Sequence, residues 1–301
     1  MSFNSIPSFS MSRIEDRDHA TIEELKLALM THGFFTITDH GISDDVLTSS
    51  YSVSKEFFAL PEDIKNSYAH PEKAGARGYT PYGKETALGE TTADLKEFWH
   101  HGPIVDELFD SRIEKNIEVK EIKNFNSQFD ILFSQLNNLG LKVLSSIALI
   151  LGKKDNFFND WVIKGNSLLR LIHYPPVSDP SNALRARAHG DINLITLLVG
   201  AEESGLEVKN PNGKWIPIDA KSKSIVCNIG DMMELVTRSK LKSTSHRVVD
   251  PNVNASTSRY SMPFFLHPSP DIMLRSIVDN SSESVSAHDF LEERLRAIKL
   301  Y

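Results

Sequence analysis

The chain has 301 residues, 40% of them hydrophobic and 24% charged, with 33 basic against 40 acidic side chains and a net charge of −7. That is ample apolar material for a large soluble core, and the acidic balance argues against a non-specific nucleic-acid binder, which carries a basic field. A single cysteine, Cys227, excludes an internal disulfide and suits a reducing cytoplasm. The first twenty residues lack the apolar centre of a signal peptide, and the most apolar stretch, 139–152, is interrupted by Lys142 and too short to span a bilayer.

Residues 1–18 read as a polar arm. Thr21-Ile-Glu-Glu24, followed by Leu25, Leu29 and Met30, reads as a capped helix that Gly33 ends. Residues 34–38 read as a buried strand and His40-Gly41 as a turn. Nothing stands at ligand spacing from His32 or His40, so both are assigned to local hydrogen bonds. A second helix covers 44–59, and Pro61 opens a third. The Gly- and Pro-punctuated stretch 74–84 carries Arg77, Tyr79, Tyr82 and Lys84, a pattern suited to contacts with a small anionic substrate. Phe98-Trp-His-His101 extends that wall; neighbouring strand residues face opposite ways, so only one of the two His points inward. Leu132, Leu136, Leu139, Val143, Ile147 and Ile150 then step by threes and fours, an amphipathic helix packed behind a β-core.

Short strands follow. Residues 168–174 place Arg170, Ile172 and Tyr174 on one face, which makes Arg170 a further substrate candidate if Tyr174 faces inward. Strands are expected at 186–199, 205–209, 214–218, 224–229, 233–238, 242–249 and 257–266, with turns at 210–213 and 228–231. Cys227 reads as a small core residue. Regular short strands with such turns indicate a sandwich or jelly roll. Ser286-x-x-Asp289 opens a final helix with Leu291, Leu295 and Ile298 on one face, docking near the pocket mouth.

The chemistry concentrates in this β-region. In a strand, residues i and i+2 share a face, so His189 and Asp191 aim an imidazole and a carboxylate at one point, and Gly190 allows close backbone approach. With eleven His and 40 acids in the chain, about 1.5 His-x-acid matches arise by chance. Two occur; His70-Pro-Glu72 lies in a polar, Pro-containing stretch and is set aside. His246 supplies a second imidazole, and two His with one carboxylate suit non-haem Fe(II) with open positions. Arg259 and Ser261 form another i, i+2 pair, good chemistry for a buried carboxylate.

These motifs resemble the isopenicillin N synthase-like branch of the Fe(II)/2-oxoglutarate oxygenases. The resemblance takes in residues 32–42, Arg77-Gly-Tyr79, Asp94-Leu-Lys-Glu-Phe-Trp99 and the His-x-Asp…His…Arg-x-Ser series, with Ile172 where many plant members have Asn. It implies an α+β fold, a double-stranded β-helix (jelly roll) flanked by helices, as one domain over 1–301. Within it, 1–123 would be the supporting and substrate-wall region, 124–152 the backing helix, 166–268 the β-core and 284–301 the terminal helix. It implies His189, Asp191 and His246 as iron ligands, and Arg259, Ser261 and Tyr174 as contacts to the distal carboxylate of 2-oxoglutarate. The expected activity is O2-dependent hydroxylation of a small molecule with release of succinate and CO2. The cavity would be dry, lined by Leu194, Thr196, Leu206, Val248 and Phe264, with Phe264 also a substrate contact; no nucleic acid, membrane or obligate protein partner is expected. An oxidase that uses O2 without 2-oxoglutarate, an ethylene-forming variant and a non-catalytic binding protein remain alternatives on the sequence alone.

Overall fold

The computed structural model describes residues 5–71, 75–85, 94–176, 184–199, 205–218, 224–249 and 257–297. The N-terminal third holds β1 (Ser8–Ser10), α1 (Met11–Glu15), α2 (His19–Thr31), β2 (Phe34–Thr38), α3 (Asp44–Phe58), α4 (Glu62–Ser67), β3 (Gly78–Thr80) and β4 (Glu97–His101). The arm expected at 1–18 is corrected for the part described. β1 pairs in parallel with β2, and Phe9, Met11 and Ile14 are buried, so apolar contacts tie this segment to the core. α2 starts earlier than Thr21: the Asp18 carboxylate caps it by accepting from the Thr21 backbone N–H at 3.0 Å. Ser43 caps α3 in the same way, with Asp44 and Asp45 placed favourably at the positive end of the helix dipole.

The long helix is α5 (Phe125–Ile150), and its expected stripe from Leu132 to Ile147 is buried. Then come α6 (Asn159–Val162), β5 (Leu168–Tyr174), β6 (Leu184–His189), β7 (Ile195–Val199), β8 (Leu206–Lys209), β9 (Trp215–Pro217) and β10 (Ile225–Ile229). α7 (Asp231–Val236), β11 (His246–Val249), β12 (Arg259–Leu266), β13 (Met273–Arg275), β14 (Ser284–Ser286) and α8 (Ala287–Ala297) complete the order. Two strand expectations are corrected. Residues 186–199 form two strands, because the chain turns at 190–194 and leaves one sheet for another. Residues 233–238 lie largely in α7: Met232, Met233 and Val236 are buried together at helical spacing, and 228–231 leads from strand to helix rather than around a hairpin. The 210–213 turn joins β8 to β9 as expected, with Gly213 at φ 79 and the Asn210 side chain accepting from the Asn212 and Lys214 N–H groups.

Among the described residues the strands form an eight-stranded sheet, β1-β2-β10-β7-β12-β5-β4-β3, a four-stranded sheet, β6-β11-β8-β9, and a separate pair, β13-β14. Alternation along each strand decides what they face. Phe34, Phe98, Ile172, Tyr174 and Val226 of the large sheet pack against Ala186, Leu206, Val208, Ile216 and Val248 of the small one. The opposite face of the large sheet carries Phe35, Trp99, Leu171, Leu197, Cys227 and Phe264, and joins the stripe of α5 in one apolar core. This is the jelly-roll arrangement, two facing sheets with helices behind. Phe264 and Leu194 belong to the helix-side core, so the expectation that they line the cavity is corrected; Phe264 meets Phe133 of α5 edge-on at 5.0 Å. The strand period itself requires this: if Arg259 and Ser261 face inward, Phe265 and not Phe264 shares their side. Among the described residues no helix is long and apolar enough to cross a membrane.

Candidate active site

β6 and β11 are antiparallel neighbours, and their register sets His189 directly opposite His246. The two imidazole centroids lie 4.4 Å apart, and Phe34 closes against His246 edge-on at 5.4 Å. Asp191 stands just beyond β6, where its carbonyl accepts from the Asp231 N–H at 2.7 Å and turns the chain toward β7. Gly190 eases this approach, since a Cβ there would lie a tight 3.1 Å from both Asp231 Oδ1 and Ser243 Oγ. One donor atom from each of His189, Asp191 and His246 falls within 4.8 Å of the others, with His246 Nε2 and Asp191 Oδ1 at 3.7 Å.

The hydrogen bonds select which atoms are left for a metal. His189 Nδ1 lies 2.7 Å from the Arg187 carbonyl and His246 Nδ1 lies 3.2 Å from the Thr244 carbonyl. A carbonyl only accepts, so each Nδ1 carries a proton and each Nε2 is the nitrogen left to face a metal. Asp191 Oδ2 accepts from Thr196 Oγ1 at 2.6 Å and Asn228 Nδ2 at 2.7 Å, which leaves Oδ1 toward the imidazoles. Burial opposes ionisation of Asp191, but the neighbouring imidazoles and these two hydrogen bonds outweigh it and hold the carboxyl below its ordinary range. The donor set is therefore two imidazoles, each presenting Nε2, and one carboxylate, the chemistry that suits Fe(II).

Burial, reinforced by His246, pushes His189 down to about 4 from 6.5, and burial does the same to His267. Both are held below their unfolded value, so the unfolded chain binds more protons between those pH values. Their contribution is complete above about 6.5 and drains away as pH falls toward 4. The metal-free protein should hold a constant denaturation midpoint above pH 6.5 and lose on the order of 3 kcal/mol per group on acidification to pH 4. A midpoint that stays flat across that window would contradict the burial assigned to these imidazoles.

Further along the inward face, Arg259 pairs with Tyr174 and Ser261 with Ile172. Arg259 is 3% exposed, with its guanidinium 5.4 Å from the centroid of the Tyr174 ring. Arg170 shares that face. Its Nε donates to His100 Nε2 at 2.6 Å, its Nη1 pairs with Glu85 at 3.1 Å, and Phe98 and Phe265 lie over it at 4.3 and 5.4 Å. Glu85 is shared with Lys96 at 2.5 Å, and Lys96 also meets Asp94 at 3.0 Å. Glu85 and Lys96 are buried; Arg170 and Lys96 outweigh the burial of Glu85 and hold it ionised, and Glu85 and Asp94 do the same for Lys96. Asp94 reaches across to β6, accepting from the Arg187 N–H at 3.4 Å, and so links the two sheets.

The remaining substrate candidates sit elsewhere. Tyr79 lies on the helix side of β3, donates to Glu97 and packs edge-on to Phe57, so its placement in the substrate wall is corrected. Arg77 is 3% exposed, donates to Ala76 O and Asn166 Oδ1, and lies flat against Gly102, where a Cβ would come within 2.2 Å of it. Tyr82 and Lys84 are exposed. Of the paired imidazoles, His100 points inward and His101 outward to Asp130, as strand alternation requires. Glu85, Asp94, Lys96, Thr196 and Asn228 carry the polar structure of the cavity. Asn228 had a signal in the sequence, a polar side chain inside the buried run Ile225–Ile229.

Residues 165–268 match the model of the 2OG-Fe(II) oxygenase superfamily, and residues 6–122 match that of the non-haem dioxygenase in morphine synthesis N-terminal family. A 2-oxoglutarate-dependent dioxygenase of Didymella fabae is 32% identical, covering 85% of this chain and 82% of its own. A 2OG-Fe(II) oxygenase family protein of known structure from Caulobacter crescentus is 41% identical with TM-score 0.89, over 98% of this chain and 100% of that one. A full-length Neurospora crassa protein, crystallised in complex with alpha-KG and thymine, has TM-score 0.85 at 27% identity, over 97% and 96% of the two chains.

Proposed function

Since the chain belongs to the 2OG-Fe(II) oxygenase superfamily, we propose that His189, Asp191 and His246 hold the iron and that Arg259, Ser261 and Tyr174 hold the far carboxylate of 2-oxoglutarate. The protein is a non-haem iron, 2-oxoglutarate-dependent dioxygenase. The observation that carries the assignment is the converging donor set, in which both Nδ1 atoms and Asp191 Oδ2 are already engaged and the atoms facing each other are those a metal needs. Iron with 2-oxoglutarate and O2 supplies the oxidising chemistry, releasing succinate and CO2. The chain's residues do the rest. Arg259 and Tyr174 orient the cosubstrate from one end. Leu206 and Val248 exclude water from the space between the sheets.

For the substrate we favour a small, net-uncharged polar molecule and hydroxylation as the outcome. Of the cations that suggested an anionic partner, Arg170 is matched by Glu85, Arg77 is engaged behind Gly102 and Lys84 is exposed; the buried Lys96 beside them is matched by Glu85 and Asp94. Arg170 lies over the rings of Phe98 and Phe265, and its Nη2 makes no hydrogen bond among the described residues. It is placed to donate to a carbonyl or similar acceptor. The Neurospora crassa complex holds an uncharged planar molecule, thymine, in agreement with this class. We take residues 1–301 as one oxygenase domain acting in a reducing cytoplasm on a small molecule, with Cys227 buried in the core. The test is succinate formation with Fe(II), 2-oxoglutarate and O2 across a panel of neutral and anionic metabolites. Stimulation by neutral members supports the class; stimulation confined to anions removes it.

A further inference from the structure

We propose that Thr196 and Asn228 are positioning residues that restrict Asp191 to a single metal-facing oxygen and thereby keep a coordination position open. The proposal rests on the iron assignment above. Thr196 and Asn228 are register partners on β7 and β10, so both side chains point inward side by side. Each is buried, at 3% and 4% exposure, and each donates to the same atom, Asp191 Oδ2. A carboxylate only accepts, so the Asn228 amide must present its nitrogen there.

The direction of the Thr196 bond is also enforced. Asn193 Nδ2 donates to Thr196 Oγ1 at 2.9 Å and to the Ile195 carbonyl at 2.9 Å. A hydroxyl that already accepts from Asn193 turns its one proton to Asp191. Gly230 leaves room for Asn193 to lie here, since a Cβ there would come within 2.2 Å of its main-chain and side-chain oxygens. Thr196 of β7 and Asn228 of β10 are thus committed to one oxygen of one carboxylate, with Thr196 oriented by Asn193 of the preceding turn.

The chemical reason follows from counting positions. An ion held by three protein donors would have three of six positions left, enough for a two-point keto acid and O2. A carboxylate free to rotate could bind through both oxygens and take one of them. Two strong donors on Oδ2 make that mode costly, because charge-assisted hydrogen bonds would have to break.

The test uses Thr196→Val, which keeps shape and removes the donor, Asn228→Leu, the double variant, and Thr196→Ser as the conservative control. Each is saturated with Fe(II) without O2 and titrated with 2-oxoglutarate, following the visible charge-transfer band of the chelate, and each is also loaded with Co(II) alone to read its ligand-field spectrum. The expected result is a shifted Co(II) spectrum and at least tenfold weaker 2-oxoglutarate binding in Thr196→Val, Asn228→Leu and the double variant, with Thr196→Ser close to wild type. Variants that take up Fe(II) and keep the wild-type spectrum and affinity overturn the positioning role. So does complete loss of metal binding, which would assign these donors to affinity instead of binding mode, and so does a Thr196→Ser protein as impaired as Thr196→Val. A wild-type protein with no band overturns the iron and cosubstrate assignment itself, a distinguishable failure.

Discussion

His246→Ala is expected to leave a folded protein that no longer takes up Fe(II). His246 contributes one of three converging donors, and the two that remain cannot hold the ion against water and buffer. The fold should survive. The substitution removes the edge contact to Phe34, worth about 0.5–1.5 kcal/mol, but also relieves His189 of the nearby imidazole that lowers its basicity. Calorimetric titration with Fe(II) or Co(II) reads the loss directly. Thermal unfolding gives the second arm: at metal 100-fold above Kd the wild type gains about 2.7 kcal/mol, and the variant gains nothing. A His246→Ala protein that binds metal with wild-type affinity, or turns over, refutes the ligand assignment.

Arg259→Ala should weaken 2-oxoglutarate and spare the metal. The guanidinium is buried beside Tyr174, on the same strand face as the Ser261 hydroxyl and in the space between the sheets. Truncating one partner of a buried charge pair costs about 2–5 kcal/mol, which raises the concentration of 2-oxoglutarate required by about 30-fold to several thousand-fold. Succinate release titrated against 2-oxoglutarate at saturating iron measures it, with Fe(II) affinity as the control that should stay within about threefold, because independent sites differ by only a few tenths of a kcal/mol. Unchanged 2-oxoglutarate dependence would remove Arg259 from the cosubstrate site.

Much of the fold and the site is legible in the residues because strand periodicity turns spacing into direction. The shared face of Arg170, Ile172 and Tyr174 follows from a period of two, and the α5 stripe from steps of three and four; His189 and His246 meet through the register of β6 and β11, while Asp191 stands past the end of β6 and joins them through the turn into β7. The corrections have the same origin. Phe264 cannot face inward once Arg259 and Ser261 assign that face to Phe265. α7 reads as strand because its apolar residues are few and close, and short runs do not distinguish the two periods. The ion cluster of Glu85, Asp94, Lys96 and Arg170 is not legible: its members come from separate segments, and only the closing of the sheets brings them together. Tyr79 departs from its expected place because its loop ends in β3, whose pairing turns it to the helices.

The two imidazoles belong to the four-stranded sheet, whereas the carboxylate between them is fastened through its far oxygen to β7 and β10 of the eight-stranded sheet. An ion seated among them would therefore act as a rivet between the two leaves of the protein. Its loss would remove one fastening of the smaller leaf, which its apolar face and Asp94 still hold to the larger, so that iron starvation would register as loosened architecture in a folded protein as well as silent catalysis.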